Sequence, residues 1–175
     1  MTFLPENYEL PASENNFTKF EKDKTTKLRI LLSWLDKNCV IYYEYFQDIE
    51  WWKVKPIRST KKFTETPWIN AKSQVKEVWS FKVYNYEAQS IQICSIPQKW
   101  IKETIMNLIW DSDYGDPLGY DIKISKTGEG METKYSLLAS PPKEFDDKLI
   151  FNKDKDIDWA WFLSSEKDIF HKIEE

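Results

Sequence analysis

Residues 79–96 read WSFKVYNYEAQSIQICSI. Trp79, Phe81 and Val83 alternate with Ser80, Lys82 and Tyr84, with Tyr86 following beyond Asn85. A period of two makes a strand with two unlike faces. The tryptophan, phenylalanine and valine suit a core. The lysine and two tyrosines are an unusual load for a face that only meets water. Ile91 and Ile93 carry an apolar side into a second strand after a short turn.

The flanking segments extend this β pattern in both directions. Upstream, KLRILLS (27–33) alternates as a strand whose outer edge holds Lys27 and Arg29, and Val40–Phe46 is rich in β-branched and aromatic residues. The second run is either a separate strand or the first continuing past a bend. Downstream, Pro97 precedes a helix over 98–110, where Ile101, Ile105, Leu108 and Ile109 form one apolar stripe. Ser112–Gly119 breaks the pattern. Tyr120, Ile122 and Ile124 then alternate, Gly128-Glu129-Gly130 turns, and 132–138 returns as a hairpin partner.

The order is β-β-β-α-β-β. It predicts a mainly β protein with one or two helices, built as an OB fold, a five-stranded Greek-key barrel with its helix between strands three and four. The organisation expected is a barrel domain over 1–140 and an acidic, aromatic C-terminal segment over 141–175. Within the domain, 1–26 form an N-terminal arm, and Phe3, Leu4, Tyr8 and Leu10 are candidates to lie on the barrel. Residues 47–76 form a basic, aromatic insertion between strands one and two.

The charge distribution supports that division. The 175 residues carry a formal net charge of −4, which does not describe a polycation. Residues 51–76 nonetheless hold seven positive side chains against one acid, Glu65, interleaved with Trp51, Trp52, Phe63 and Trp68. Their periodicity does not persist, so they read as a long loop, and loops of this length tend to be functional. The compensating acids lie in 143–175. There Asp154, Asp156, Asp158, Trp159, Trp161 and Phe162 make an acidic-aromatic knot, and the final residues read as helical.

Catalytic chemistry is not indicated. The four glycines form no phosphate loop, and a lone His171 supplies neither a relay nor a zinc set. Cys39 and Cys94 read as reduced thiols. No cofactor, no metal and no enzymatic activity is expected. No apolar run reaches the roughly 20 residues of a membrane span, and the acidic, Pro-broken N-terminus is unlike a signal peptide, so the expected compartment is the cytoplasm.

Aromatic content of 16% beside clustered cations suits single-stranded nucleic acid, which needs charges to follow phosphates and rings to stack bases. The candidate contacts are Lys27, Arg29, Trp52, Lys53, Lys55, Arg58, Lys61, Lys62, Trp68, Lys82, Tyr84 and Tyr86. Such a groove accepts RNA as well as DNA. The alternative is a protein-interaction module, such as a phage-encoded inhibitor of a host protein, using the same barrel and aromatic surface.

Several stretches together also resemble one family. LPENYELP (4–11), NNFTKF (15–20), TKLRIL (26–31), KPIRS (55–59), the run from 78 to 105 and YGDPLGYDIKISKTGEGMETKYSL (114–137) are similar to the single-stranded DNA-binding proteins of tailed phages. The resemblance implies an OB fold and sequence-tolerant binding of single-stranded DNA in replication and recombination, inside the host cell. It further implies self-association along DNA and a C-terminal segment that contacts replication or recombination proteins. Residues 34–46 depart from the family's Gly-aromatic pattern, and there is no zinc cluster.

Overall fold

A computed structural model describes residues 16–33, 38–50, 53–63, 74–150, 155–164 and 170–172. It is mainly β. The strands are β1 (Lys24–Ile30), β2 (Val40–Glu50), β3 (Lys53–Ser59), β4 (Lys76–Asn85), β5 (Ser90–Ile96), β6 (Asp121–Thr127) and β7 (Lys134–Ala139). Helix α1 (Lys99–Trp110) lies between β5 and β6. These seven strands form one antiparallel sheet along the path β3-β2-β4-β1-β6-β7, with β5 on the other side of β4. A short ribbon of β8 (Lys155–Ile157) and β9 (Phe170–Lys172) flanks helix α2 (Trp159–Ser164). The last strand replaces the helix expected near the C-terminus.

The opening stretch forms the predicted hairpin. Phe81 pairs with Cys94 and Val83 with Gln92, and the ladder ends at Asn85–Ser90. Asn85 makes the turn itself. Its side-chain oxygen accepts from the backbone N–H of Glu87 at 3.0 Å and of Ala88 at 3.3 Å, an Asx turn.

β1 and β2 lie end to end along one side of β4, because Ile30 pairs with Val83 and Val40 with Ser80. The chain leaves the sheet between them and rejoins it in the same direction. The two β runs read from the sequence are thus successive halves of one sheet position.

β3 corrects the reading of 47–76 as a loop. It pairs with β2 from Tyr43–Ser59 to Glu50–Lys53. Pro56 hides the alternation in the sequence, yet proline is tolerated on an edge strand, where a missing N–H costs no ladder bond. Trp51, Trp52 and Trp68, and the expected contacts of Phe3, Leu4, Tyr8 and Leu10, lie outside the described residues.

The core follows from the two faces of the sheet. Leu28, Phe81, Val83, Ile96, Ile122 and Ile124 meet Ile101 and Ile105 of α1 on one face. Leu108 packs against this cluster, while Ile109 is exposed, so the helical stripe is narrower than its spacing suggested. Between the outer edges of β5 and β7 runs the arm at residues 16–20. Phe17 bridges Ile93 in parallel, and Phe20 meets Tyr135 edge-on at 6.3 Å. The opposite face of β4 is also covered. Phe145, Leu149 and Ile150 pack on Leu31, Tyr84 and Ile91, and Ile157, Trp159 and Phe162 pack on Val40, Tyr42, Val78 and Ile93.

Candidate nucleic-acid interface

The face carrying Lys82 and Tyr84 is a buried layer, not an open groove. Arg29, Lys82 and Tyr84 are 2%, 1% and 3% exposed. As solvent-facing contacts these three are corrected, because the chain's own residues 143–150 lie over them. Arg29 sits opposite both Tyr84 and Asp121 in the sheet register. Its Nη1 donates to Asp121 Oδ1 at 3.2 Å, its Nη2 donates to the Lys143 carbonyl, and Phe145 lies 5.7 Å from its guanidinium.

Asp121 is fully buried and gathers the surrounding cations. Lys27 Nζ lies 3.1 Å and Lys143 Nζ 3.5 Å from its Oδ2. Tyr86 donates its hydroxyl to Oδ1 at 2.9 Å. Burial pushes the Asp121 carboxyl up, but the Tyr86 hydrogen bond with Lys27 and Arg29 outweighs it, holding the group below its ordinary value. Tyr86 shifts upward, first through burial and then through that bond to the carboxylate. Lys27 stacks on the Tyr86 ring at 4.3 Å. Lys27 and Tyr86 are therefore engaged, though only partly covered.

The β2–β3 hairpin is different. Lys55, Lys61 and Lys62 are exposed. The pairs Tyr45–Ile57 and Gln47–Lys55 place Lys55 on the same hairpin face as Ile41, Tyr43 and Tyr45. Phe63 folds back edge-on to Tyr45 at 5.0 Å. Ile41 is half exposed, and Tyr43 and Phe63 are partly exposed. This face joins exposed Lys55 to the partly exposed Tyr43, and exposed Lys61 and Lys62 precede Phe63 in the chain, while Tyr45 is 8% exposed.

Arg58 belongs to the other hairpin face. Its Nε donates to Glu44 at 2.7 Å and its Nη1 to the Phe162 carbonyl at 2.8 Å, with its guanidinium 4.3 Å from the Phe162 ring. It anchors α2 and is not displayed for a phosphate. Lys53 begins β3, while Trp52 and Trp68 lie outside the described residues.

Two rings of the C-terminal knot are likewise internal. Phe162 is fully buried and Trp159 is 7% exposed, so neither ring is presented to a partner. Phe162 packs edge-on to Tyr42 at 5.4 Å and to Trp159 at 5.5 Å. Asp158 accepts from the Ala160 N–H at 3.0 Å, capping α2. Asp156 lies in β8 and Trp161 in α2, and Asp154 is outside the described residues.

Reasoning from the sequence missed Asp121, Tyr43, Tyr45 and Phe145. Tyr43 and Tyr45 alternate visibly within 40–46. Nothing local marks Asp121 or Phe145, whose roles exist only through residues distant in the chain.

Burial pushes the Cys94 thiol up, which keeps it protonated near neutrality, while Cys39 is exposed. Among the described residues no helix is long and apolar enough to cross a membrane, and no cluster of His, Cys, Asp and Glu could hold a metal ion. No protein-family model matches the chain, and neither a curated protein nor a solved structure matches it.

Proposed function

We propose that this protein binds single-stranded DNA without sequence preference, as the phage proteins it resembles do, in replication and recombination within a host cytoplasm. The observation that carries the reading is the β2–β3 hairpin, where exposed Lys55, Lys61 and Lys62 accompany the partly exposed rings of Tyr43 and Phe63. The lysines neutralise phosphates and release counterions, and the partly exposed rings stack bases. Trp52, Lys53 and Trp68 are further candidates from the sequence, and Trp52 and Trp68 lie outside the described residues.

The strand path supports an OB-type barrel beneath this hairpin. Taking β1 and β2 as one position, the order β5-β4-β1-β6-β7 with α1 before β6 is that of a five-stranded OB barrel. The arm at 16–20 occupies the seam between its end strands. The hairpin then emerges from the loop between barrel strands one and two, one of the places where such barrels hold oligonucleotides.

Titration with unphosphorylated oligo-dT, followed by tryptophan fluorescence and by anisotropy of a labelled strand, tests the reading. Binding that weakens steeply with salt supports it. Absence of binding by both signals at low salt overturns it. A second reading, docking of a protein partner, is favoured by α1, whose outer side exposes Trp100, Met106 and Ile109 and leaves Trp110 82% exposed. A partner captured on that helix, with no oligonucleotide binding, would select it.

A further inference from the structure

We propose that the outer side of α1 is an interface with a second copy of this chain, whose own α1 packs against it antiparallel across a two-fold axis. A helix on the surface of a folded domain turns polar residues away from the core. In α1 the outward stripe is instead strongly apolar. Lys99, Trp100, Glu103, Met106, Asn107 and Trp110 follow the three- and four-residue spacing of one helical side, opposite the buried Ile101 and Ile105. Trp100 and Met106 are exposed, and Trp110 is 82% exposed. One such side chain would call for no explanation, but three in a single stripe mark an interaction surface.

The stripe is complementary to itself, which selects a second copy as its occupant. Reversing α1 about Ile105 exchanges Lys99 with Asp111, Trp100 with Trp110 and Glu103 with Asn107. A two-fold axis at Ile105 therefore sets a ring against a ring at each end. Outside the rings it sets Lys99 of one protomer against Asp111 and Asp113 of its partner. Both acids are exposed. Lys99 is exposed too, and its pairing with Glu103 at 3.5 Å lies in water, where such pairs contribute little. A closed dimer uses the same patch twice, so it requires this self-complementarity of charge and shape. An unrelated partner would impose no such order on the helix.

The inner stripe holds the helix in place for this contact. Ile101, Ile105 and Leu108 pack on the sheet, so the outer side is presented by a fixed element. At a crossing of about 20°, two antiparallel helices stay in contact along their length. A helix of 12 residues is about 18 Å long, which makes the interface small and the dimer reversible.

The inference goes beyond DNA binding at the hairpin and does not rest on it. Sedimentation velocity of the full chain, without nucleic acid, would be run from low to high micromolar protein, and a monomer–dimer equilibrium is expected. Trp110→Ser takes a ring from both ends of the interface and should weaken the dimer about a hundredfold or more, with the melting of the dilute protein unchanged. Lys99→Glu sets like charges together at both ends. So does Asp111→Asn/Asp113→Lys, in which the asparagine keeps the side-chain oxygen that accepts from the backbone N–H of residue 113. Each variant alone should associate about fivefold more weakly, while a mixture of the two should recover the parent affinity, because opposite charges then meet at every end. Lys61→Glu/Lys62→Glu should dimerise like the parent, which separates this surface from the hairpin. A chain that stays monomeric at high micromolar concentration, a dimer indifferent to Trp110→Ser, or a mixture no tighter than either variant alone would overturn the proposal.

Discussion

Asp121 shows how one residue can hold several segments together. Its carboxylate joins β1 through Lys27 and Arg29, the turn after β4 through Tyr86, and the segment after β7 through Lys143. Removing one partner of a buried ion pair leaves the others uncompensated, so Asp121→Asn should destabilise the protein by about 3–5 kcal/mol. Denaturant midpoints would measure this. The pH dependence has a definite sign. A carboxyl held below its ordinary value contributes stability that is fully present above the unfolded aspartate value of about 3.9. That stability is lost as pH falls through the lower folded value. Midpoints between pH 5 and pH 2 should therefore fall in the parent protein and fall less steeply in Asp121→Asn; equal slopes would remove Asp121 from the acid limb. Phe162, fully buried against Tyr42 and Trp159, should cost about 3–5 kcal/mol as Phe162→Ala. A drop under 1 kcal/mol would mean that α2 contributes little to the fold.

Among the elements, the β2–β3 hairpin carries the proposed DNA-binding side chains and the β6–β7 turn carries a backbone constraint. Lys61 and Lys62 are exposed, so reversing both charges should leave melting nearly unchanged. In the double variant Lys61→Glu/Lys62→Glu, the slope of log affinity for oligo-dT against log salt should shrink by about one unit for each phosphate no longer neutralised. An unchanged slope would move the phosphates elsewhere. Gly128 has φ +78°, and a Cβ there would stand 2.5 Å from the Glu132 carbonyl oxygen. Gly128→Ala should thus cost about 1–3 kcal/mol, read as a lower urea midpoint, although its side chain would sit in a surface turn. Both elements were legible in part. The glycines announced the turn, and the lysines announced a basic segment. The strand character of Lys53–Ser59 was not legible, because Pro56 interrupts its pattern and only pairing with β2 satisfies its backbone.

In the whole molecule, the central sheet lies between α1 on one face and the C-terminal segment on the other. A chain ending at Ser140 should lose the cover over Tyr84, Ile91, Val40 and Val78. Each fully buried large apolar side chain contributes about 1.5–3 kcal/mol, so the truncated protein should melt at least several degrees lower and bind a hydrophobic dye. A truncation that melts like the parent would make the segment an appendage. Strands β1, β2 and β4 to β7, the β4–β5 turn, α1 and the apolar side of β4 were readable from spacing, since period-two and period-3.6 patterns are local properties of the chain. The same spacing marked Lys82 and Tyr84 as one face and Trp159 and Phe162 as one knot. That the knot and the strap at 143–150 close over that face, turning an expected open groove into a buried layer, was settled by long-range packing. Burial depends on which distant surface arrives, and a strand's own alternation specifies two faces without saying what covers either.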